Sequence, residues 1–453
     1  MSENQELAVG RRANKEILKQ YQIYPDRRLQ LYVTKVGQRL ARKSHRVNLT
    51  YYFNIVDSMD INAFALPGGY IYITRGLLAY LNSEAQLAAV LAHEIGHVTA
   101  RHSVRQQTSA QTTSLGIGIL SKLLPGLSNA GFDQSANLLG TALLRGYGRE
   151  HELEADRLGA DYLARSGYDP QAMFEVIRIL KEQEIFDQNL ARLEKRQPRR
   201  YHGVFSTHPD NDTRLREIVD HQPENNPVSK AVFRDRFLDE IDGMIFGPNP
   251  SAGIIRGTTF YHRDFGFAIQ FPTGWNLSNQ PDRLIAANQD NNLKIHLTGR
   301  AVPSRMTPEE LLLEYGIANL SAIEPIGTAG ITGIRGLTTI GTEDGPRIIR
   351  VSGIMLGEHG FVITGFARNT GHQRQFDETF KTVVTSFHSL SSTERSHASG
   401  QRIRVVRLKG SIPWATLASS SALDKLAESH LKLLNASATG ESAPHINRIK
   451  LVE

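Results

Sequence analysis

Cysteine is absent from the 453 residues of this chain. Its absence excludes disulfide bonds, thiolate metal ligands and cysteine nucleophiles, and it leaves the redox compartment open. Long hydrophobic runs are also missing. The most apolar stretch, residues 115–125, is interrupted by Lys122 and Pro125, whereas about 20 apolar residues are needed to span a bilayer. We therefore predict no transmembrane helix, and we expect residues 115–146 to form a lid or a helical hairpin.

A strong excess of charge of one sign is missing as well. Lysine and arginine number 52, and aspartate and glutamate number 46, so the formal net charge is +6. The basic residues are dispersed, with one short cluster between Lys195 and Arg200. This distribution is typical of a solvated surface. It predicts no nucleic-acid partner but leaves peripheral association with an anionic membrane open.

What the chain does contain is the segment His93-Glu94-Ile95-Gly96-His97, within a run of helical character. Residues four apart on a helix share a face, so the two histidines can direct their imidazoles at one metal ion. The glutamate can then reach a water molecule beside that metal and act as a general base. The alternative is a helix with two half-buried histidines that bond to carbonyl groups.

The residues around this motif support a helix. Ser83 and Gln86 have the spacing of a capping box, which predicts that the helix begins directly after Ser83. Gly96 lowers the helix propensity by about 1 kcal/mol relative to alanine. A glycine at this position therefore predicts the close approach of another segment or of a substrate.

A catalytic zinc ion usually has three protein ligands, so a third ligand is required. Downstream, Glu152 and Asp156 lie four residues apart in an amphipathic helical pattern and share a face. One of these carboxylates could bind the metal while the other orients a ligating histidine. Glu150 and Glu154 point elsewhere and are expected to be solvated. Without the upstream motif, this pattern would indicate an ordinary charged helix.

Together, the sequences H-E-I-G-H and E-L-E-A-D resemble the HtpX/BepA-like zinc metallopeptidases, whose pattern is H-E-x-x-H followed by E-x-x-x-D. The similarity is greatest to the periplasmic, β-barrel assembly-enhancing protease-like branch. Residues 62–72 resemble the family's strand beside the active-site cleft, and residues 205–209 resemble its T-H-P loop. The resemblance spans about residues 3–225. One departure is Gly148, where family members often carry serine.

The resemblance implies one zinc ion per chain, with His93, His97 and Glu152 as its ligands. It also implies Glu94 as the general base, and Asp156 as a residue that supports the ligands without being one of them.

Further roles follow from the same resemblance. His208, in the T-H-P loop, is either a removable fourth ligand of the zinc or a loop histidine that caps a helix. Arg149 is one candidate for stabilising the oxyanion, as are Tyr147, His151 and His208. The substrate is expected to bind as an added strand. The residues expected to hold it are Asn62, Ala63, Phe64 and Ala65.

The resemblance implies a zinc-dependent endopeptidase that hydrolyses misfolded or stalled bacterial envelope proteins. The alternative is a chaperone-like or scaffold protein of the envelope with a gated, rarely active zinc site. Expected partners are polypeptide substrates, with outer-membrane assembly machinery or peptidoglycan as further candidates. The expected location is the periplasm, or a membrane anchor on its periplasmic side. Residues 1–6 are polar and acidic, so we expect an export signal to be missing from this sequence; a cytoplasmic protein is the alternative.

The composition changes near residue 250, where glycine and proline mark a linker. Alternating strand patterns follow, and the Phe271-Pro272-Thr273-Gly274-Trp275 segment resembles the start of the PsbP-like sheet. The last fifty residues resemble a LysM module, but its usual G-D-T-L turn is absent. Glycan binding and a degenerate interaction module are both open there. The predicted fold is multidomain: a mainly α, zincin-type metallopeptidase domain with a small sheet (1–250), an α+β domain (253–390), a linker (391–400) and a LysM-like module (401–453).

Overall fold

The computed structural model describes residues 1–106, 147–198, 231–280, 282–328, 330–342, 345–368, 373–423, 425–436 and 448–453. The chain forms two compact units. Unit 1 consists of residues Met1–Gly247 and Gln401–Glu453, and unit 2 of residues Pro248–Gly400. Both units contain helices and sheets. The division into two units confirms the multidomain prediction. The predicted lid or hairpin, residues 115–146, lies outside the described residues.

The first part of unit 1 combines helices with a small sheet. The sheet has the strand order β1-β3-β2, in which β1 runs parallel and β2 antiparallel to β3. The helices are α1 (Glu3–Gln20), α2 (Arg27–Ala41), α3 (Arg75–Tyr80), α4 (Glu84–Thr99), α5 (Arg149–Arg165), α6 (Gln171–Leu193) and α7 (Arg234–Ile241). The strands are β1 (Tyr52–Val56), β2 (Ala63–Leu66), β3 (Tyr70–Thr74) and β4 (Ile245–Phe246).

Helix α4 lies in the centre of the unit 1 core, where it packs against α2, α5, α6 and β2. It begins where the sequence predicts, because the Ser83 hydroxyl accepts a hydrogen bond from the Gln86 amide at 3.2 Å. The second bond of the capping box differs. The Gln86 side-chain oxygen accepts from the Asn82 amide at 2.6 Å instead of from Ser83. Every residue from Glu84 to Val98 is buried, so the core sets the position of this helix.

Unit 2 is built around a seven-stranded antiparallel sheet of order β11-β12-β13-β14-β10-β9-β8, with a second sheet of order β15-β7-β6-β5. Its strands are β5 (Ile254–Arg256), β6 (Thr259–His262), β7 (Phe267–Gln270), β8 (Asn276–Asn279), β9 (Leu284–Ala287), β10 (Leu293–Ala301), β11 (Ser321–Thr328), β12 (Ile331–Thr342), β13 (Gly345–Leu356), β14 (His359–Ala367) and β15 (His388–Ser389). Its helices are α8 (Pro308–Glu314), α9 (Gln373–Thr385) and α10 (Ser392–His397).

The chain then returns to unit 1 through β16 (Gln401–Arg407), α11 (Trp414–Ser419), α12 (Ala427–Leu434) and β17 (Arg448–Val452). The sequence pattern predicts a separate module here. In the structure, β16 pairs with both β17 and β4. Trp414, Leu431 and Ile449 are buried in the hydrophobic core that also contains α2 and α4. These residues therefore form part of the unit that carries the H-E-x-x-H motif, because their apolar side chains are buried against it.

In the described part of the chain, no helix is long and apolar enough to cross a bilayer.

Candidate metal centre

The three motif residues lie on the central helix α4 and are all buried. His93 is 6% exposed, Glu94 is 1% exposed and His97 is 2% exposed. The two imidazoles meet edge to face with their ring centroids 4.6 Å apart. Their Nε2 atoms are 2.9 Å apart, so the four-residue spacing directs both nitrogens at one point.

Helix α5 crosses α4 at two glycines, which allow the helices to approach closely. A Cβ atom on Gly96 would lie 2.8 Å from the carbonyl oxygen of Ala155. A Cβ atom on Gly159 would lie 3.1 Å from the His93 amide nitrogen. The close approach expected at Gly96 is therefore made by α5, and it brings the acidic face of α5 against the two histidines.

The third side chain at this point is Glu152, which is fully buried. Its carboxylate oxygens lie 3.5 Å from His93 Nε2 and 3.5 Å from His97 Nε2. In a tetrahedral zinc site with bonds of about 2.0–2.1 Å, ligand atoms lie roughly 3.3 Å apart. The three donors lie within 4.8 Å of one another, and two imidazoles with one carboxylate are a typical catalytic zinc set. These residues therefore fit a zinc ion.

Asp156 lies one turn after Glu152 on α5 and holds His93. Its Oδ1 atom is 2.8 Å from His93 Nδ1, and the carboxylate is buried. A carboxylate accepts hydrogen bonds, so Nδ1 of the neutral imidazole carries the proton and Nε2, which faces Glu152, carries none.

His102 has a corresponding place behind His97, and the sequence motifs do not predict it. The Nδ1 atoms of the two rings are 2.8 Å apart. Helix α4 ends at Thr99, and Arg101 then takes a left-handed conformation with φ 56°, which turns the chain back towards the helix. The one signal in the sequence is a histidine directly after the motif helix.

His102 in turn contacts Glu154, which the sequence pattern places in solvent. His102 Nε2 lies 3.1 Å from Glu154 Oε2, and Arg105 donates to the same oxygen at 2.8 Å. Burial lowers the pKa of His102 to about 4, although Glu154 opposes this effect. Partial burial tends to raise the pKa of Glu154, but the hydrogen bonds from Arg105 and His102 lower it overall. The imidazole is therefore neutral and the carboxylate ionised at neutral pH.

The candidates for stabilising an oxyanion occupy different environments. Tyr147 stacks on His97 with the ring centroids 4.0 Å apart, and its hydroxyl lies 2.7 Å from the Ser103 hydroxyl. Burial, followed by the nearby carboxylates of Glu94 and Glu152, raises the pKa of Tyr147. His151 is half-buried, and burial followed by the Arg105 charge lowers its pKa.

Arg149, the third described candidate, is the exposed first residue of α5. The structure thus brings Tyr147 against the ligand set, while Arg149 lies at the solvent-facing start of the helix. His208, predicted either to be a removable zinc ligand or to cap a helix, lies outside the described residues.

The segment predicted to hold the substrate lies in the small sheet. Asn62 precedes β2, and Ala63, Phe64 and Ala65 belong to it. Among the described strands, β2 pairs with β3 alone and so forms one edge of the sheet. The side chains of all four residues are buried, and β2 packs against α4.

Because Gly96 contacts the backbone of α5, a methyl group at this position is expected to separate the two helices. For Gly96→Ala we expect a loss of about 1–3 kcal/mol from overpacking, against a gain of about 1 kcal/mol in helix propensity. Displacement of Glu152 should also weaken zinc binding by roughly tenfold or more. Thermal unfolding and zinc titration measure the two effects. Gly148→Ala is the matched control, because a Cβ there meets nothing within 4 Å; equal zinc affinity in both variants would contradict the prediction.

Residues 27–222 match the profile of Peptidase family M48. This match and the relatives below confirm the resemblance predicted from the motifs. The matched range contains the two motif histidines, Glu94, Glu152 and Asp156.

Curated relatives align with about half of this chain. The chain is 31% identical over 246 residues to the β-barrel assembly-enhancing protease of Escherichia coli, covering 52% of this chain and 48% of that protein. It is 29% identical over 229 residues to the mitochondrial metalloendopeptidase of Schizosaccharomyces pombe, covering 48% of this chain and 61% of that protein. The chain spans about half the length of the β-barrel assembly-enhancing proteases it matches.

One solved structure aligns with part of the chain. The solution structure of cyanobacterial PsbP from Synechocystis aligns with 30% of this chain and 95% of its own, with 12% identity and a TM-score of 0.25. At this TM-score the likeness carries no argument, so the PsbP-like assignment stays a prediction, as does the LysM-like one.

Proposed function

We propose that this protein is a zinc-dependent endopeptidase in which His93, His97 and Glu152 hold the metal and Glu94 is the general base. The proposal is carried by one observation. Three buried donor groups from two crossing helices converge within 4.8 Å of one another inside a peptidase M48 domain. Burying three such groups together is unfavourable unless they are compensated, and a shared cation compensates them.

The chain's own residues then perform the following roles. When bound, a zinc ion supplies Lewis-acid chemistry, which polarises a carbonyl oxygen and makes a water molecule easier to deprotonate. Glu94 accepts a proton from the attacking water and passes it to the leaving amine nitrogen. Asp156 keeps the Nδ1 proton on His93, so that Nε2 faces the metal. Tyr147, which stacks on His97, is the described residue best placed to support the oxyanion.

The substrate is proposed to be a polypeptide in extended form. An extended chain can add to the edge of a sheet through main-chain hydrogen bonds, and β2 forms such an edge among the described strands. Asn62, Ala63, Phe64 and Ala65 would then provide the backbone that aligns the scissile bond. Arg149 and His208 stay proposed site residues, the first for the oxyanion and the second as a gate or a helix cap.

The biological role is proposed from the relatives. One group of relatives is named for enhancing β-barrel assembly, which supports misfolded or stalled outer-membrane proteins as substrates and the assembly machinery as a partner. The periplasm is the location that fits this role. Another group is named as mitochondrial, so the shared chemistry is peptide hydrolysis, with location varying among relatives.

The test is the metal content of the purified protein, measured by elemental mass spectrometry. We expect about one zinc ion per wild-type chain, and a loss of affinity of at least about 100-fold in Glu152→Ala, because a ligand contributes more than the 10- to 100-fold typical of outer-shell partners. Glu150→Ala is the matched control, since Glu150 is exposed on the same helix and should keep its zinc. A wild-type protein without zinc, or unchanged binding in Glu152→Ala, would refute the proposed site.

A further inference from the structure

The two histidines of the metal centre are anchored in different ways. His93 meets the carboxylate of Asp156 directly, at 2.8 Å. His97 instead meets a second imidazole, that of His102, which is 0% exposed. Behind His102 lies the carboxylate of Glu154. An imidazole is thus inserted between the second ligating histidine and a carboxylate.

The positions of the protons follow from the geometry. If His97 ligates through Nε2, its proton in the neutral form is on Nδ1, and it donates to His102 Nδ1. Neutral His102 then carries its proton on Nε2, which lies 3.1 Å from Glu154 Oε2. Each donor in this order faces an acceptor.

The reverse order fails at both ends. If His102 donated through Nδ1, the proton of His97 would lie on Nε2, the atom that faces Glu152 and His93. His102 Nε2 would then direct a lone pair at the Glu154 carboxylate, and two acceptors would face each other. The contacts therefore favour a single arrangement, the one in which His97 can ligate.

The far end of this chain of contacts is held in place. Arg105 donates to Glu154 Oε2 at 2.8 Å, which keeps an ionised carboxylate at the end. The His102 ring also stacks on His151, with the centroids 4.3 Å apart. The imidazole of His102 is thus fixed by contacts on its edge and on its face.

We propose that His102 and Glu154 are positioning residues, which set the tautomer and the ring orientation of His97 through two successive hydrogen bonds. The proposal rests on the proposed function, because it assumes that His97 holds a metal. Asp156 acts on His93 directly, whereas Glu154 acts on His97 through the side chain of His102. His102 and Glu154 are not among the three proposed ligands of the metal.

The experiment compares full-length variants loaded with Zn²⁺ or Co²⁺. His102→Leu removes the acceptor for His97, whereas the Oδ1 atom of His102→Asn can replace Nδ1 as that acceptor. We expect His102→Leu to bind Zn²⁺ 10- to 100-fold more weakly than the wild type in chelator competition. His102→Asn should recover most of this affinity. The visible absorption of the Co²⁺ form should change in His102→Leu, because it reports the geometry of the ligands.

Two further variants keep the test independent of folding. Glu154 is partly exposed, with 44% of its side chain accessible, so Glu154→Ala should fold, bind Zn²⁺ several-fold more weakly and shift the Co²⁺ spectrum. His45→Leu is the control: the Nδ1 atom of His45 lies 2.8 Å from the Tyr162 hydroxyl, which also contacts Thr99 at the end of α4. This variant removes a similar hydrogen bond near the same helix end and should leave affinity and spectrum unchanged.

The outcomes separate the two proposals. Wild-type affinity and an unchanged Co²⁺ spectrum in both His102→Leu and Glu154→Ala would overturn the positioning role while leaving the zinc site intact. An equal loss of affinity in His45→Leu would also overturn it, because the effect would then reflect packing at the helix end. A wild-type protein that binds neither ion would overturn the proposed function and the positioning role with it.

Discussion

Replacing Glu94 with glutamine is expected to abolish peptide hydrolysis while the zinc content stays at the wild-type level. The amide has nearly the shape of the carboxylate, and position 94 is buried in the middle of α4, so packing should change little. A glutamine cannot accept the proton of the attacking water. General acid–base catalysis typically contributes about 10²- to 10⁴-fold to a rate, and casein cleavage should fall by at least that factor.

A matched control for this substitution exists on the same helix. Glu84 is also buried at the start of α4, where it accepts hydrogen bonds from the Tyr32 and Tyr168 hydroxyls at 2.8 and 2.7 Å. Glu84→Gln is expected to lower stability but to leave the cleavage rate per zinc-loaded molecule unchanged. Equal activity of Glu94→Gln and the wild type would refute the mechanism, whereas loss of zinc from Glu94→Gln would assign this residue to the metal site instead.

Removal of residues 401–453 is expected to unfold unit 1 and to abolish zinc binding. This segment supplies β16 and β17, which extend the sheet from β4, and it places Trp414 and Leu431 in the core shared with α4. Truncating large buried side chains singly costs about 2–5 kcal/mol, and a domain is stable by only about 5–15 kcal/mol. Loss of the whole segment should therefore exceed the stability of the unit.

Substitution of one residue, Lys450, tests the packing of residues 401–453 against the rest of unit 1. Lys450 is fully buried, and its Nζ donates to the carbonyl oxygens of Ala79 and Leu81 at 2.7 Å each. Ala79 and Leu81 lie just before α4, so the lysine connects β17 to the segment that leads into the motif helix. Burial, followed by the Arg234 charge, lowers the pKa of Lys450. In Lys450→Met both carbonyls lose this donor, at about 1–3 kcal/mol for each buried group.

Circular dichroism during thermal unfolding and zinc titration measure both effects. Lys432→Met is the control for the point variant. Within the described residues Lys432 forms one ion pair, with Glu428 one turn away on α12, and its loss should cost at most about 0.5 kcal/mol. A folded, zinc-binding protein that ends at Gly400 would show that residues 401–453 are a separable module, as the sequence pattern predicts.

Local spacing accounts for what could be predicted about the motif helix. The histidines at 93 and 97 share a face of any α-helix, and Ser83 marks its start, so no knowledge of the rest of the fold is needed. The glycine at 96 predicts a close neighbour, which proves to be Ala155.

Distant contacts account for what could not be predicted. The bond from His102 to His97 depends on a left-handed turn at Arg101, which is an uncommon conformation for a residue other than glycine and has no marker in the sequence. Glu154 has the spacing of a solvated residue on α5, and it contacts His102 only because α5 crosses the end of α4. For residues 401–453, periodicity identifies the strands and helices but cannot say which core they enter.

The amino-acid pattern alone predicts a helix with two histidines and a glutamate and a second helix with two carboxylates, and these motifs resemble those of zinc metallopeptidases. These are properties of neighbours within one turn of helix, and the 3.6-residue period places them. The crossing of the two helices at paired glycines, the position of His102 behind His97, and the entry of the last strands into the same core are known from the three-dimensional structure. Those contacts join residues far apart in the chain, and their geometry is set by packing.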